Sequence, residues 1–563
     1  MTRSKDYVSI ANAYCDRVLS GDLPACKWVK LACKRQRDEL KKYAVPQSSY
    51  YFDEGEACRV CKFIELLTHT KGDLAGKRIQ LEPWQVFILT TVFGWRRSRD
   101  GGRRYRRAYI EVSRGNGKST LLSGIGLYCL VADREGGAEV YSFATTRDQA
   151  KIVFGDAKVM AAQNAALRSQ FGLEVLANAL YVPSTNSTFQ AKSAEGSTLD
   201  GLNTHLAIID ELHAHKTRAV YDVVETSTGK RSNSLLFVIT TAGFDTAGIC
   251  YEIRTVVTKI LEGTVDDEMQ FGIIYGLDET DDWTSLDALE KANPNWGVSV
   301  RPEILTGLLK KAVAMPSAVN NFKTKHLNVW CSASSAWMDM QAWAKCGADE
   351  LELSDYEGRK CFIGLDVGAK NDVTAKVLVF PDGESYAVFP FFFLPEAAVE
   401  RSPNSQYKGW AIEGLLQISP GAMTDLSQIE ESIREDLSRF DVQAIAYDPW
   451  NALQLATSLS NEGAPMVEYR ATVQNFSDPM KTLEALVQGG QIVHANNPVM
   501  TWMMGNVVAK LDAKDNIFPR KERYENKIDG VVALISALGV ASSVEENPFA
   551  DIAEASGPVF IGW

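Results

Sequence analysis

No stretch of this 563-residue chain approaches the ~18 consecutive apolar residues of a membrane-spanning helix, and its densest runs, such as LLFVITTAG, stop well short. Nor does it have an excess of positive charge. Fifty-nine Lys and Arg against 71 Asp and Glu give a net charge of −12 and an isoelectric point near 5.3. That balance excludes a chain that coats nucleic acid over its whole surface, while leaving room for local basic grooves. Its ten cysteines have no repeating spacing. Cys58 and Cys61 form a CxxC but lack the second Cys or His pair that a tetrahedral zinc site requires, so they are read as core positions of a helix over 57–68. The start, MTRSKDYVS, has no apolar signal-peptide stretch, and with the scattered cysteines this points to a reducing, cytoplasmic setting. No internal repeat is visible.

What is present is the composition of an ordinary globular protein, 45% apolar and 23% charged, with enough length for two large domains. Residues 1–80 show apolar positions at helical spacing. From Arg106 the pattern changes to β-branched apolar runs (RRAYIEVS, AEVYSFAT, THLAIIDE, SLLFVITTAG), each followed by a helix-like stretch, the signature of a parallel α/β sheet buried on both faces. A second α/β pattern begins at RKCFIGLDVG and passes through AKVLVF, YAVFPFFFL and VQAIAYD. Helices are expected near 426–440, 479–488, 499–511 and 528–538. The predicted organisation is a domain over 1–335 with a helical lead-in over 1–80, a linker over 336–355, a second domain over 356–545 and a flexible tail over 546–563.

The segment YIEVSRGNGKSTLLSGIGLYCL has the strand, glycine-containing loop and helix of a phosphate-binding loop. Lys118 suits the β- and γ-phosphates of ATP, and Ser119 suits Mg2+. Across the loop Ser113, Arg114, Gly115, Asn116, Gly117 and Thr120, the backbone amides from Gly115 to Thr120 would cradle the phosphate oxygens. The first glycine of the usual pattern is replaced by Val112. Downstream, LAIIDELHAH puts Asp210 and Glu211 at a strand end, Asp210 to hold the magnesium through water and Glu211 as the general base. His213 and His215 are read as solvated loop residues. Trp84 and Gln85 precede the loop; an amide can read an adenine edge, while a core tryptophan opening a helix explains the pair equally well. Thr240, Thr241, Ala242 and Gly243 follow the next strand, where small polar residues can sense the γ-phosphate.

Together, SRGNGKST, SFATTRDQA, STLDGLNTHLAIIDELHAH and ITTAG resemble the ATPase motifs of large terminase subunits of tailed bacteriophages, and the resemblance covers nearly the whole chain. In that family the first loop glycine is commonly absent and an arginine stands in the loop, which matches Val112 and Arg114. The resemblance implies that Trp84 and Gln85 form the adenine motif and Thr240–Gly243 the coupling motif, and that Lys118, Arg114 and Glu211 are catalytic. It further implies a RecA-like P-loop ATPase followed by an RNase H-like nuclease. The implied work is packaging of double-stranded DNA into a procapsid and cutting of concatemers, with a portal protein and a small terminase subunit as partners. The chain would act as a homo-oligomeric ring in the host cytoplasm, transiently at the portal vertex, and be absent from the mature virion. A ring motor needs an arginine at the phosphates, from the same subunit or its neighbour; Arg114 in the loop and Arg147, Arg218 and Arg231 on later segments are the candidates.

In the second domain Asp366 lies in the first strand (FIGLDVG), Asp448 at the end of a later one (AIAYDPW) and Asp529 at a helix start (KIDGVVALISAL). An RNase H-like fold brings such positions together, and three carboxylates suit two Mg2+ or Mn2+ ions for phosphodiester cleavage. Asp372, Asp515 and Lys527 are lesser candidates, equally readable as solvated residues. The seven-arginine segment RRSRDGGRRYRR (96–107) reads as a basic hairpin suited to DNA phosphates or to an acidic neighbour. Lys510, Lys514, Arg520, Lys521 and Arg523 are placed to hold a duplex near the nuclease. Two other classes remain: an assembly ATPase with an inert acidic domain, and a helicase-like ATPase with a nuclease. The helicase reading is disfavoured because no second phosphate loop follows Leu353.

Overall fold

Helical spacing in the first eighty residues produces three helices, Tyr7–Ser20, Lys27–Lys42 and Glu54–Glu65. The Asp6 and Asp53 side chains cap the first and third by accepting from Ser9 N–H and Glu56 N–H. Cys61 is buried on the third helix and Cys58 is half-buried beside it, with no disulfide. The computed structural model describes residues 5–545 apart from 145–146, 194–200, 216, 247, 332–336, 369–371, 403, 405, 513 and 523–525. The expected tail over 546–563 and the basic candidate Arg523 therefore lie outside the described residues, as does the side chain of Arg147. The chain divides into two units, Met1–Cys331 and Ser332–Trp563.

The β-branched runs of the first unit become an eight-stranded sheet: β1 (Arg107–Glu111), β2 (Glu139–Ala144), β3 (Glu174–Val175), β4 (Leu180–Val182), β5 (Ser187–Ser193), β6 (Leu206–Asp210), β7 (Leu235–Thr240) and β8 (Gln270–Ile274). Their order is β8-β1-β7-β6-β2-β5-β4-β3. The six strands from β8 to β5 are parallel, and β4 and β3 each pair antiparallel with the strand before them in that order. Every residue of β7 is buried, as a strand covered on both faces requires. One strand, β7, separates the P-loop strand β1 from the acidic strand β6, so the ends of all three open onto one edge of the sheet.

The arginine-rich segment corrects the sequence reading. Arg103 is fully buried and paired with Asp133 at 2.8 Å; Arg104 is buried against Glu39 at 2.8 Å and Glu268 at 3.2 Å. Arg96 pairs with Glu56, Arg97 with Asp100, and Arg107 with Glu225 and Asp267, while Arg106 donates to backbone carbonyls of Thr228 and Arg231. Only the Arg99 side chain, 78% exposed, faces solvent broadly. Buried guanidinium groups demand carboxylate partners, and apart from Asp100 for Arg97 the acids that supply them are distant in sequence. The cluster is a scaffold that ties the helical lead-in to the sheet. Asp133 also meets His205 at 2.8 Å beside Cys129, and with Arg103 already on that carboxylate the group is a buried hydrogen-bonded network.

In the second unit the sheet is built from β9 (Lys360–Asp366), β10 (Thr374–Asp382), β11 (Ser385–Pro395), β12 (Gln417–Ser419), β13 (Asp441–Tyr447), β14 (Met466–Glu468) and β15 (Ile492–His494). The order is β12-β11-β10-β9-β13-β14, with β15 pairing β11. Strands β9, β10 and β11 are antiparallel, whereas β13 and β14 continue parallel to β9, the RNase H-like arrangement. The final helix, Asp529–Glu545, lies across β9 so closely that a Cβ on Gly364 would stand 1.9 Å from the Ala533 carbonyl; only glycine fits there. Within 336–355, the expected linker, a helix forms over Met340–Lys345; its buried Trp343 stacks on His494 with ring centroids 4.1 Å apart. The predicted helix over 499–511 is also corrected. It ends at Asn506, and β16 (Val507–Leu511) pairs antiparallel with β17 (Ile517–Lys521), since paired β-branched Val507 and Val508 favour a strand once a partner is present.

Candidate active sites

The loop after β1 places Gly115 and Gly117 at φ +88° and +73°, left-handed conformations that glycine adopts without strain. The helix that follows, Lys118–Val131, starts on the lysine itself. Asparagines lock the loop from behind. Asn116 donates to Asn293 at 3.0 Å and accepts from Asn295 N–H at 2.9 Å, while Ser113 donates to the Ala292 carbonyl at 2.8 Å. The Asn-Pro-Asn run at 293–295 was the only local signal in the sequence for this support of the loop. Trp84 is buried and donates to Asn295 at 2.6 Å, so it supports the loop from the core. Gln85 lines a cavity of about 620 Å³ together with Gly117, Thr120, Leu121, Ser299 and Arg301. The Gln85 carboxamide oxygen accepts from Glu82 N–H at 3.0 Å, which leaves chiefly its amino group for a ligand.

Lys118 is buried, donates to the Val112 carbonyl at 3.2 Å and stands 3.5 Å from Glu211. Burial presses its pKa down, opposed by the charges of Glu211 and Asp210. Asp210 and Glu211 separate electrostatically. Burial, then the neighbouring Glu211 charge, raises Asp210 to about 7. For Glu211 burial also acts upward, but the His213 hydrogen bond and the Lys118 and Arg114 charges outweigh it and hold the group at about 2. Asp210 Oδ1 is buried with no hydrogen-bond partner, the kind of oxygen a hard cation fits. Ser119 and Thr120 are half-buried in the first turn of the helix, and exposed Arg114 holds its place through its N–H to the Lys325 carbonyl at 2.9 Å.

His213 is no solvated loop residue: its Nδ1 lies 3.0 Å from Glu211 and 3.1 Å from the Thr240 hydroxyl, and Thr241 donates to Glu211 at 3.2 Å. His215 is buried, and burial followed by the His213 charge depresses it to about 4. The segment Thr240–Gly243 thus touches the acidic pair on one side. On the other, Ala242 N–H donates to Asn328 at 2.6 Å, and a Cβ on Gly243 would lie 3.2 Å from Trp330. Asn328 and Trp330 in turn donate to buried Glu111 at the end of β1, at 3.2 and 3.1 Å. Sequence reasoning missed Glu111, which accepts from Tyr109 on its own strand but whose other partners, Asn328, Trp330 and Arg254, come from distant segments. Of the open arginines, Arg231 is spent inside the subunit on Glu135 and three carbonyls, and Arg218 pairs on the surface with Asp222 and Glu252.

In the second unit Leu365 and Tyr447 pair across β9 and β13, so Asp366 and Asp448 stand side by side one residue later. Asp448 accepts from Trp450 N–H at 2.9 Å and Ala471 N–H at 2.8 Å, which fixes its carboxylate. Asp529 arrives on the last helix through the Gly364 contact. Burial, then the charges of Asp529, Asp372 and Asp448, drives Asp366 well above the usual carboxylate range. Asp529 is raised too, by burial and by Asp372. Asp529 Oδ2 is buried without a partner. Such repulsion among carboxylates is relieved by hard divalent cations, so the donor set fits them. Asp372 belongs to this cluster and is ion-paired with Lys527. Asp515 does not; it is exposed at φ +59° in the turn between β16 and β17.

Two family models match the chain, the terminase large subunit ATPase domain over residues 83–259 and the terminase large subunit endonuclease domain over 264–545. The second begins before β8, a strand of the first unit's sheet. The large terminase subunit of Enterobacteria phage HK97 is 30% identical over 500 residues, covering 86% of this chain and 95% of that protein. Protein YmfN of Escherichia coli is 39% identical over 373 residues, 64% of this chain and 82% of its own. The crystal structure of the HK97 large terminase aligns with TM-score 0.44 and 28% identity, covering 86% of this chain and 99% of that one. No described helix is long and apolar enough to cross a membrane. The chain belongs to the terminase large subunit family, an ATPase and endonuclease on one polypeptide that serves as a DNA-packaging motor with cleavage activity.

Proposed function

We propose that ATP binds across the loop Ser113–Thr120 with its adenine in the cavity lined by Gln85. Lys118 meets the β- and γ-phosphates, and Ser119 and Asp210 hold Mg2+. Glu211 takes the proton of the attacking water, and what carries this reading is its environment: His213 and Lys118 keep it ionised beside the phosphate loop. Thr241, hydrogen-bonded to Glu211, senses the γ-phosphate and passes its loss along Thr240–Gly243 to Asn328 and Trp330. Arg114 is the arginine that completes the charge balance in the loop.

In the second unit Asp366, Asp448 and Asp529, with Asp372, hold Mg2+ or Mn2+ ions, and Lys527 stands ready at the scissile phosphate. Bound in the two sites, such ions supply charge stabilisation at the phosphates of ATP and, in the nuclease, an acidified water. Lys510, Lys514, Arg520 and Lys521, on and beside the β16–β17 hairpin, grip the duplex backbone without reading sequence. The working form is a homo-oligomeric ring on the portal of a procapsid, loaded with double-stranded DNA through a small terminase subunit. It acts in the host cytoplasm and leaves before the virion matures. Packaging into purified procapsids tests this: Lys118→Ala and Glu211→Ala should each abolish DNA uptake, and uptake that survives both would remove the ATP site as the engine.

A further inference from the structure

Trp450 is 82% exposed, the only exposed tryptophan among the described residues. It follows Asp448 by two positions, at the start of the helix Pro449–Asn461. The backbone there is not helical. Trp450 has φ −62° and ψ +70°, and Asn451 has φ +126°, a conformation that L-residues rarely adopt and that survives only where surrounding contacts impose it. Two such contacts are present. The Trp450 N–H donates to Asp448 Oδ1 at 2.9 Å, and the Asn451 side-chain amide donates to the Val367 carbonyl, next to Asp366, at 3.2 Å. The backbone that carries the indole is therefore tied to the carboxylate cluster at both strand ends, and the exposed ring gains nothing from the core. The helix buries Ala452, Leu455, Ala456 and Leu459 on its inner side, while Leu453, 61% exposed, faces out as Trp450 does. Arg470 adds a cation close enough to interact with Asp448.

A flat apolar ring, held outward by strained backbone beside the carboxylates that cut a phosphodiester, matches one feature of the substrate. That feature is the base next to the scissile phosphate, whose π-face is bared when an inserted side chain partly unstacks the step, whatever the sequence. We propose that Trp450, backed by Leu453, stacks on or wedges against the DNA base step flanking the cleaved bond and so positions the phosphodiester over the Asp366–Asp448–Asp529 cluster. The inference rests on the endonuclease reading of that cluster. Trp450 is a DNA-binding and positioning residue; it takes no part in proton transfer.

The test uses the full chain in Trp450→Ala, Trp450→Phe and Asp366→Ala forms. Read-outs are plasmid nicking with Mn2+, heat of Mn2+ binding, melting temperature, and the fluorescence of duplex carrying 2-aminopurine bound in Ca2+. Trp450→Ala should nick about tenfold more slowly and lose the 2-aminopurine response, with Mn2+ binding, melting temperature and ATP hydrolysis as in the wild type. Trp450→Phe should recover most of both signals, since a phenyl ring also stacks. Wild-type nicking and fluorescence in Trp450→Ala would overturn the proposal, as would a loss accompanied by weaker Mn2+ binding or a lower melting temperature, or a Phe variant no better than Ala. Undiminished nicking by Asp366→Ala would instead overturn the cluster reading on which the proposal rests, while leaving the 2-aminopurine response as a separate measure of Trp450.

Discussion

The two candidate catalytic regions both collect carboxylates at strand ends, the first at the end of a single strand and the second at two neighbouring strands joined by a helix start, yet they balance the charge differently. In the first unit Lys118, His213 and Arg114 surround the acidic pair, and one carboxylate is held ionised while the other is pushed toward neutrality. In the second, four aspartates face one another with Lys527 and Lys521 as the cations acting on them, and Asp366 and Asp529 are both raised. The contrast follows the chemistry. A site that must position one general base for a water benefits from built-in partners that fix a single protonation pattern. A site whose carboxylates hold metal ions leaves repulsion that those ions relieve.

The comparison extends to the scaffolds, and its largest test lies there. The first unit spends its arginines on internal acids, so Arg103→Ala, which leaves buried Asp133 with His205 alone, should cost about 3 kcal/mol of stability. Denaturant unfolding measures that loss, and DNA affinity at fixed salt should stay unchanged; weakened DNA binding without destabilisation would restore a DNA-facing role for the cluster.

Acid should also strike the ATPase side. His215 titrates near 4 in the fold and near 6.5 when exposed, so the unfolded chain takes up its proton first. Stability is then unaffected above pH 6.5 and falls as pH drops from 6.5 to 4, by on the order of 3 kcal/mol at most. His215→Gln should flatten that slope in pH-dependent melting curves, and a slope identical to the wild type would show that the group is not held neutral.

A smaller effect sharpens the contrast through its sign. Without divalent ions, Asp366→Asn removes one member of a repelling set and should raise stability by about 1 kcal/mol, whereas Glu211→Gln deprives buried Lys118 of a partner and should lower it by about the same amount. Differential scanning calorimetry in chelator reads both, and shifts of the same sign would break the distinction.

Much of this was legible in the sequence, because both sites are announced by short motifs at strand ends. SRGNGKS, the Asp210-Glu211 pair, Asp366 and Asp448 each lie where an apolar run stops, and strand ends are where a parallel sheet exposes side chains; Asp529 instead opens the apolar run of the last helix. What could not be read depends on partners far along the chain. Nothing local to RRSRDGGRRYRR says that Glu39, Glu56 and Asp133 will bury its guanidinium groups. The same holds for His213, whose role needs Thr240 and Thr241 from the next strand, and for Asn293 and Asn295, which reach the loop from nearly 180 residues away. The misread helix over 499–511 failed for a similar reason, since Val507–Leu511 becomes a strand only when Ile517–Lys521 pairs with it.

The central claim is that one chain carries two separate chemistries, an ATPase driven by Glu211 and a nuclease built on Asp366. Measuring ATP hydrolysis and Mn2+-dependent plasmid nicking side by side in Glu211→Gln and Asp366→Ala tests it most directly. The account predicts a crossover: Glu211→Gln loses about 10²–10⁴-fold in ATP turnover and still nicks, while Asp366→Ala stops nicking and still hydrolyses ATP. Loss of both activities in either variant, or nicking by Asp366→Ala at the wild-type rate, would contradict it.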